Sequence, residues 1–189
     1  QADLVIAIGE QTKNDIIEFL KIEPSKIKVI YQGCHAAFKE DYSEKEYKEV
    51  TTKFGLPEKF LLNVGTIEAR KNILLAVKAI KNIDTTLVIV GNGTSYAKEI
   101  KDYIAQNNLE NKVLFLKNVS IKELSILYKL AQVFIYPSLY EGFGIPIIEA
   151  LYSKTPVITT HCGVFPEAGG PNSVYINPTS VDEMEKAIL

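Results

Sequence analysis

Six short apolar runs, separated by helical segments, fill most of this 189-residue chain. They are 60–64, 86–90, 113–116, 133–136, 157–159 and 174–176. Each is continuous rather than alternating, which is the mark of a strand buried on both faces, and most end at glycine, proline or a polar residue. The intervening segments read as helices over 72–82, 95–107, 121–131 and 146–153, with a shorter or looped link around 163–170 and a further helix from Val181. Such alternation predicts an α/β fold, a Rossmann-like parallel sheet of about six strands with helices on both faces. Its ligand crevice would lie at the C-terminal strand ends.

Upstream, 4–8 reads as a strand, 11–20 as a helix with Thr12 as its cap, and 27–30 as a strand closed by Gly33. A charge-rich connecting helix follows over 43–54 and stops before Gly55-Leu56-Pro57. Hydrophobic residues make up 47% and charged ones 23%, an ordinary globular balance. A net charge of −2 gives no reason to expect nucleic acid as a partner. No apolar run is long enough to span a bilayer. Cys34 and Cys162 lie far apart with no metal-ligand spacing, and read as core or loop residues of a reducing compartment. The glycosylation-type triplets at Asn92 and Asn118 read as loop residues.

The chemistry concentrates after the fourth run, in Glu141-Gly142-Phe143-Gly144-Ile145-Pro146-Ile147-Ile148-Glu149. Two glycines let main chain approach a ligand closely, and Pro146 falls in the first turn of a helix, where its missing N–H costs nothing. The free N–H groups and the dipole of such a helix start favour phosphate. Glu141 and Glu149 flank that anion site, and both are suited to accept hydrogen bonds from sugar hydroxyls. The first run ends in Gly65-Thr66-Ile67-Glu68-Ala69-Arg70-Lys71-Asn72. Its adjacent guanidinium and ammonium are usual partners of a diphosphate. Together these point to a nucleotide-sugar.

The segment from Ser138 to Ala150 resembles the Glu-x7-Glu signature of retaining glycosyltransferases with two Rossmann-like domains, and the Gly-Thr-x-Glu-x-Arg-Lys-Asn form is similar to a bacterial subgroup that often uses GDP-mannose. The resemblance implies that residues 1–33 are the remnant of an N-terminal domain and its linker. Residues 34–189 would be the nucleotide-sugar-binding domain, truncated at its C-terminal end. It further implies that Glu149 holds the ribose hydroxyls and Glu141 those of the transferred sugar. The N–H groups of Gly142, Phe143, Gly144 and Ile145 would cradle sugar and diphosphate. Gly65 and Thr66 would form the turn beside them. Arg70 and Lys71 would neutralise the leaving group, and Asn118 and Val119 would lie against the base. One departure stands out: a common variant has arginine directly after the glycine, where this chain has Thr66, so Arg70 is expected to supply the second cation.

No cofactor and no metal are expected, and no Asp-x-Asp metal motif appears. Front-face displacement is the implied route to retention, with a hexose passing to a saccharide or lipid-linked acceptor held mainly by the N-terminal domain. The implied setting is bacterial polysaccharide or lipopolysaccharide assembly in the cytoplasm, with membrane association of the longer protein left open. A binding module without catalysis and a nucleotide-sugar epimerase on the same fold are the alternatives. Gly91-Asn92-Gly93 invites a dinucleotide reading, but it follows the second strand and lacks the third glycine and the acid. It reads instead as a glycine-rich turn, near ligand or purely structural. Ser120 and Glu123 have capping-box spacing. His35 and His161 read as polar loop residues, and Pro166-Glu167 as loop structure near the cleft.

Overall fold

A computed structural model describes residues 2–189. Six parallel strands form one sheet: β3 (Phe60–Val64), β4 (Thr86–Val90), β5 (Val113–Leu116), β6 (Val133–Tyr136), β7 (Val157–Thr160) and β8 (Val174–Ile176). Their order in space is β5-β4-β3-β6-β7-β8. This is the doubly wound arrangement, in which the winding reverses between β3 and β6 and the connections on either side leave a crevice there. The predicted strands match closely because burial on both faces demands the continuous apolar runs that revealed them.

Side-chain alternation along each strand divides the core into two layers. Phe60 and Leu62 of β3 point to one face, with Val88, Phe134 and Val157 from its neighbours. Over that face lie α2 (Glu44–Phe54), α5 (Ile121–Leu130), α6 (Ile145–Tyr152) and α7 (Phe165–Gly169). Leu61, Leu87, Ile89, Ile135 and Ile158 point to the other, under α3 (Ile73–Ala79), α4 (Tyr96–Gln106) and α8 (Val181–Ile188). Reciprocal capping boxes start α2 and α5: Ser43 with Glu46, and Ser120 with Glu123.

Two expectations for the main sheet's connections change. The helix foreseen over 72–82 is interrupted: Ala69–Lys71 forms a 3-10 turn, Asn72 adopts a left-handed conformation at φ 54°, and only then does α3 begin. The link at 163–170 contains the short helix α7, started by Pro166 in its first turn, so Pro166-Glu167 is helical rather than loop.

Ahead of α2 lies a separate unit, a two-stranded sheet with β1 (Val5–Ala7) and β2 (Ile27–Val29) paired in parallel and α1 (Glu10–Leu20) between them, whereas the 3-10 turn Ala36–Lys39 that follows packs Phe38 into the main core. Thr12 does not cap α1. The N-cap is Gly9, whose lack of a side chain leaves the first amides without a local acceptor. Glu167 of α7 supplies one instead, accepting from Glu10 N at 2.7 Å and from Gln11 N at 3.4 Å. A β-carbon at position 9 would meet Glu167 Oε2 at 3.0 Å, so glycine suits this approach. The ring of Tyr31 lies 5.8 Å from that of Phe143, adding an aromatic contact between the unit and the main sheet.

Candidate functional site

At the switch point the strands part. β3 and β6 pair at Leu61–Val133 and Leu62–Phe134, and beyond them the buried Asn63 side chain reaches across to Ile135 O at 2.8 Å. The loops after β3 and β4 close the floor of the opening through main chain: Gly65 N donates to Val90 O, and Ile67 N to Asn92 O, both at 2.9 Å. A β-carbon on Gly91, at φ 156°, would fall 1.9 Å from Gly65 O. Gly91 is therefore glycine because two backbones meet there. Thr94 Oγ1 adds a bond to Ile67 O at 2.8 Å. The glycine-rich turn is accounted for by this packing.

Arg70 and Lys71 enter the crevice on the 3-10 turn. Left-handed Asn72 fixes that turn by donating to Pro137 O at 3.2 Å and Pro178 O at 2.8 Å, so the loops after β3, β6 and β8 are tied together. Lys71 is buried at 8% exposure, which rules out a solvent-facing role. Its ammonium pairs with Glu141 Oε1 and lies 2.6 Å from the Tyr136 hydroxyl. Arg70 reaches Glu141 Oε1 at 2.7 Å, Glu68 at 2.8 Å and Tyr140 O at 3.0 Å. Tyr136 completes the cluster by donating to Glu141 Oε1 at 3.0 Å. Burial pushes the Glu141 carboxyl up, yet the hydrogen bonds from Lys71 and Arg70 outweigh it and hold it below the usual range. Burial first, then the nearby Glu141 charge, pushes the Tyr136 phenol far up, so it stays a neutral donor.

Glu149 occupies a different pocket. The hydroxyl of fully buried Tyr128 donates to its Oε2 at 3.0 Å, and no cation pairs with it among the described residues. Burial raises its carboxyl against the opposing pull of that hydrogen bond. The two tyrosines belong to one aromatic row. Tyr128 lies 5.1 Å from Phe134, which stacks on Tyr136 at 5.6 Å, and Tyr136 meets Phe165 edge-on at 6.2 Å. A buried tyrosine needs a partner for its hydroxyl, and here each finds one of the two glutamates.

Between those carboxylates runs the loop Gly142-Phe143-Gly144 into α6. Gly144 caps the helix at φ 96°, where a side chain would be strained. No protein acceptor takes the N–H of Gly142, Phe143, Gly144 or Ile145 among the described residues. Phe143 is buried, with its ring 5.8 Å from that of Tyr31. Thr66 is exposed beside Gly65, and Gly65 backs onto the Lys71 side chain, whose Cε lies 3.5 Å from the β-carbon position.

Asn118 and Val119 stand at the end of β5, two strands from β3, outside the Glu141 cluster. Asn118 is exposed at φ 54° and Val119 is half-buried against the core. Ser120 serves α5 as its cap. His35 Nδ1 accepts from Ala37 N at 3.1 Å, and His161 Nδ1 lies 3.1 Å from Ile176 O, both as polar loop residues.

Three residues of the site escape the sequence patterns, Asn63, Tyr128 and Tyr136, and Asn72 stood in the Arg-Lys-Asn motif without a role. A polar residue within an apolar strand was the available signal for Asn63, and a hydroxyl on a buried face for the tyrosines.

Strand order and crevice define a doubly wound, Rossmann-like domain with amides and cations at its switch point. Comparison with known proteins makes the class particular. The model of the family described as "Glycosyl transferases group 1" matches residues 44–189, and the chain belongs to that family. It is 34% identical over 186 residues to the O-antigen chain mannosyltransferase RfbU of Salmonella typhimurium, covering 97% of this chain and 49% of that one. It is 28% identical over 198 residues to the O-antigen chain mannosyltransferase B of Escherichia coli, covering 100% of this chain and 51% of that one. The chain thus spans about half the length of these curated relatives.

Among solved structures, a glycosyltransferase from Rickettsia africae superposes with a TM-score of 0.90 at 24% identity, over 98% of this chain and 52% of that one. The Anabaena protein HepE, solved in complex with UDP and glucose, gives 0.87 at 22% identity, over 99% of this chain and 52% of that one. These two likenesses are of fold. No helix among the described residues is long and apolar enough to cross a membrane.

Proposed function

We propose that this chain is the donor-binding domain of a retaining glycosyltransferase, and that it binds a nucleoside-diphosphate hexose at the β3–β6 switch point for transfer to a saccharide or lipid-linked acceptor. The observation that carries the reading is the convergence of Arg70 and Lys71 on Glu141 beside four unpaired amides. The guanidinium of Arg70, paired with Glu68 as well as Glu141, and the ammonium of Lys71 stand near amides at a helix start, a donor set suited to a diphosphate. In this reading Glu141 Oε1 orients the cations while Oε2 accepts from a sugar hydroxyl. The cations then stabilise charge as it develops on the departing nucleotide, which is preorganised electrostatic catalysis without a metal. Glu149 takes the ribose hydroxyls, and Asn118 and Val119 lie along the base. Residues 1–33 are the end of an N-terminal domain plus linker.

Mannose is the preferred hexose and GDP the preferred nucleotide, supported by the relatives' names and by the Arg-Lys-Asn motif. Calorimetric titration with GDP, UDP, ADP and their sugars tests this. The expected result is preferential binding of one nucleotide family, weakened by Glu149→Ala. Absence of binding by every nucleotide would overturn it.

A further inference from the structure

Tyr136 carries a hydroxyl that packing does not call for. Its ring stacks on Phe134 and meets Phe165 edge-on, contacts that a phenylalanine would make equally well. The side chain is 1% exposed, and a buried hydroxyl is costly unless it is hydrogen-bonded. Here both of its partners are charged: it accepts from Lys71 Nζ at 2.6 Å and donates to Glu141 Oε1 at 3.0 Å.

A lysine ammonium has three N–H groups in tetrahedral directions, on a flexible four-carbon stem. Glu141 Oε1 takes one of those of Lys71 and Tyr136 Oη another, and no protein acceptor takes the third among the described residues. A single fixed acceptor would leave the ammonium free to rotate about the line between them. A second fixed acceptor removes that rotation, so the third N–H has one direction. Glu141 Oε1 is shared with Arg70 and does not supply this alone. A neutral group suits the second place, because Glu141 already offsets charge and another carboxylate would cancel what attracts a phosphate. Burial first, then the Glu141 charge, keeps the phenol protonated, so it orients the ammonium without neutralising it.

We propose that Tyr136 is a positioning residue: by holding Lys71 together with Glu141, its hydroxyl aims the remaining N–H of the ammonium at the distal phosphate of the bound nucleoside diphosphate. When the bond between sugar and phosphate oxygen breaks, its electron pair stays on that phosphate. A fixed N–H meets the developing charge without reorganising. The inference rests on the donor reading above and adds to it a residue that itself touches no ligand.

The chain is titrated calorimetrically with GDP, UDP and ADP, and the tightest of them is compared with its own monophosphate on the unsubstituted chain, Tyr136→Phe and Tyr128→Phe. Both substitutions keep the ring and delete one buried hydroxyl, and the amide spectrum of the sheet checks that each variant folds. Tyr136→Phe is expected to weaken the diphosphate about tenfold and the monophosphate less than about twofold, so the affinity added by the distal phosphate shrinks. Tyr128→Phe, which acts on Glu149 instead, is expected to weaken the two nucleotides alike. In the isotope-labelled, unsubstituted chain, the ammonium nitrogen signal of Lys71 should shift further with the diphosphate than with the monophosphate. Equal weakening of both nucleotides by Tyr136→Phe, or no weakening, overturns the positioning role and leaves the donor reading standing. A Lys71 signal that answers both nucleotides alike overturns it in the same way. Failure of every nucleotide to bind overturns the donor reading and this inference with it.

Discussion

Glu141 and Glu149 belong to one loop-and-helix segment, and each accepts a hydrogen bond from a buried tyrosine of the same aromatic row. Their surroundings otherwise differ. Glu141 is matched by Arg70 and Lys71, and its carboxyl is held low. Glu149 has only Tyr128, and burial holds its carboxyl high. The first carboxylate stabilises the folded chain because opposite charges are already in place. The second is kept at a cost, with the Tyr128 hydroxyl as its one side-chain partner among the described residues. The contrast separates a carboxylate matched by two cations from one that a single phenol supports against burial.

The sharpest way to break this comparison is Glu141→Ala, which leaves the buried Lys71 ammonium without its anion. Loss of one partner from a buried pair costs about 3–5 kcal/mol. The expected result is a fall of that size in urea unfolding, as a lower midpoint with unchanged slope. A change under about 1 kcal/mol would mean that Arg70 and Lys71 need no counter-charge.

Glu149→Gln should act with the opposite sign on stability. Removing an uncompensated charge raises the melting temperature near neutral pH. At the same time nucleotide affinity drops about tenfold to a hundredfold, as expected for hydrogen bonds to a charged group. Parallel loss of stability and binding would show that the two carboxylates do the same job.

Acidification sharpens the comparison further, because the two linkages run against each other. Glu141 has a folded pKa below its unfolded one, so its stabilisation is complete above the unfolded carboxyl range and is lost as pH falls through the folded value. Glu149 has a folded pKa above its unfolded one, so its cost is absent at low pH and appears as pH rises through that window. Urea midpoints measured from about pH 7 down to pH 3 should therefore fall less for Glu141→Gln than for the unsubstituted chain, and more for Glu149→Gln.

The smallest effect belongs to a third carboxylate, Glu167, which caps α1 in place of a local side chain. Glu167→Gln should cost on the order of 1 kcal/mol, the usual size of a lost cap. Faster hydrogen exchange confined to the first amides of α1 would report it. An unchanged rate would show that water caps that helix equally well.

The sheet was legible because burial on both faces leaves continuous apolar runs, and even the ends of β3, β4, β5 and β6 follow from them. The glutamates, cations and glycines were legible as local motifs. Contacts supplied by topology were not. Thr12 has the chemistry of a cap, yet Gly9 starts α1 because its acceptor comes from Glu167, 157 positions away. Asn72 carried no mark of its left-handed turn, which exists because the carbonyls of Pro137 and Pro178 converge on its side chain. Tyr128 and Tyr136 looked like ordinary core residues until the fold brought carboxylates to their hydroxyls.

The floor of the crevice, where Gly91 lies against Gly65, is main chain on main chain. A surface of that kind has no side chain to drift. Substitution around it leaves it intact, whereas a single added carbon at position 91 removes it. The end of β5 is under no such constraint: positions 118 and 119 stand outside the tied loops. Residues there can change one by one while Arg70 and Lys71 keep their place.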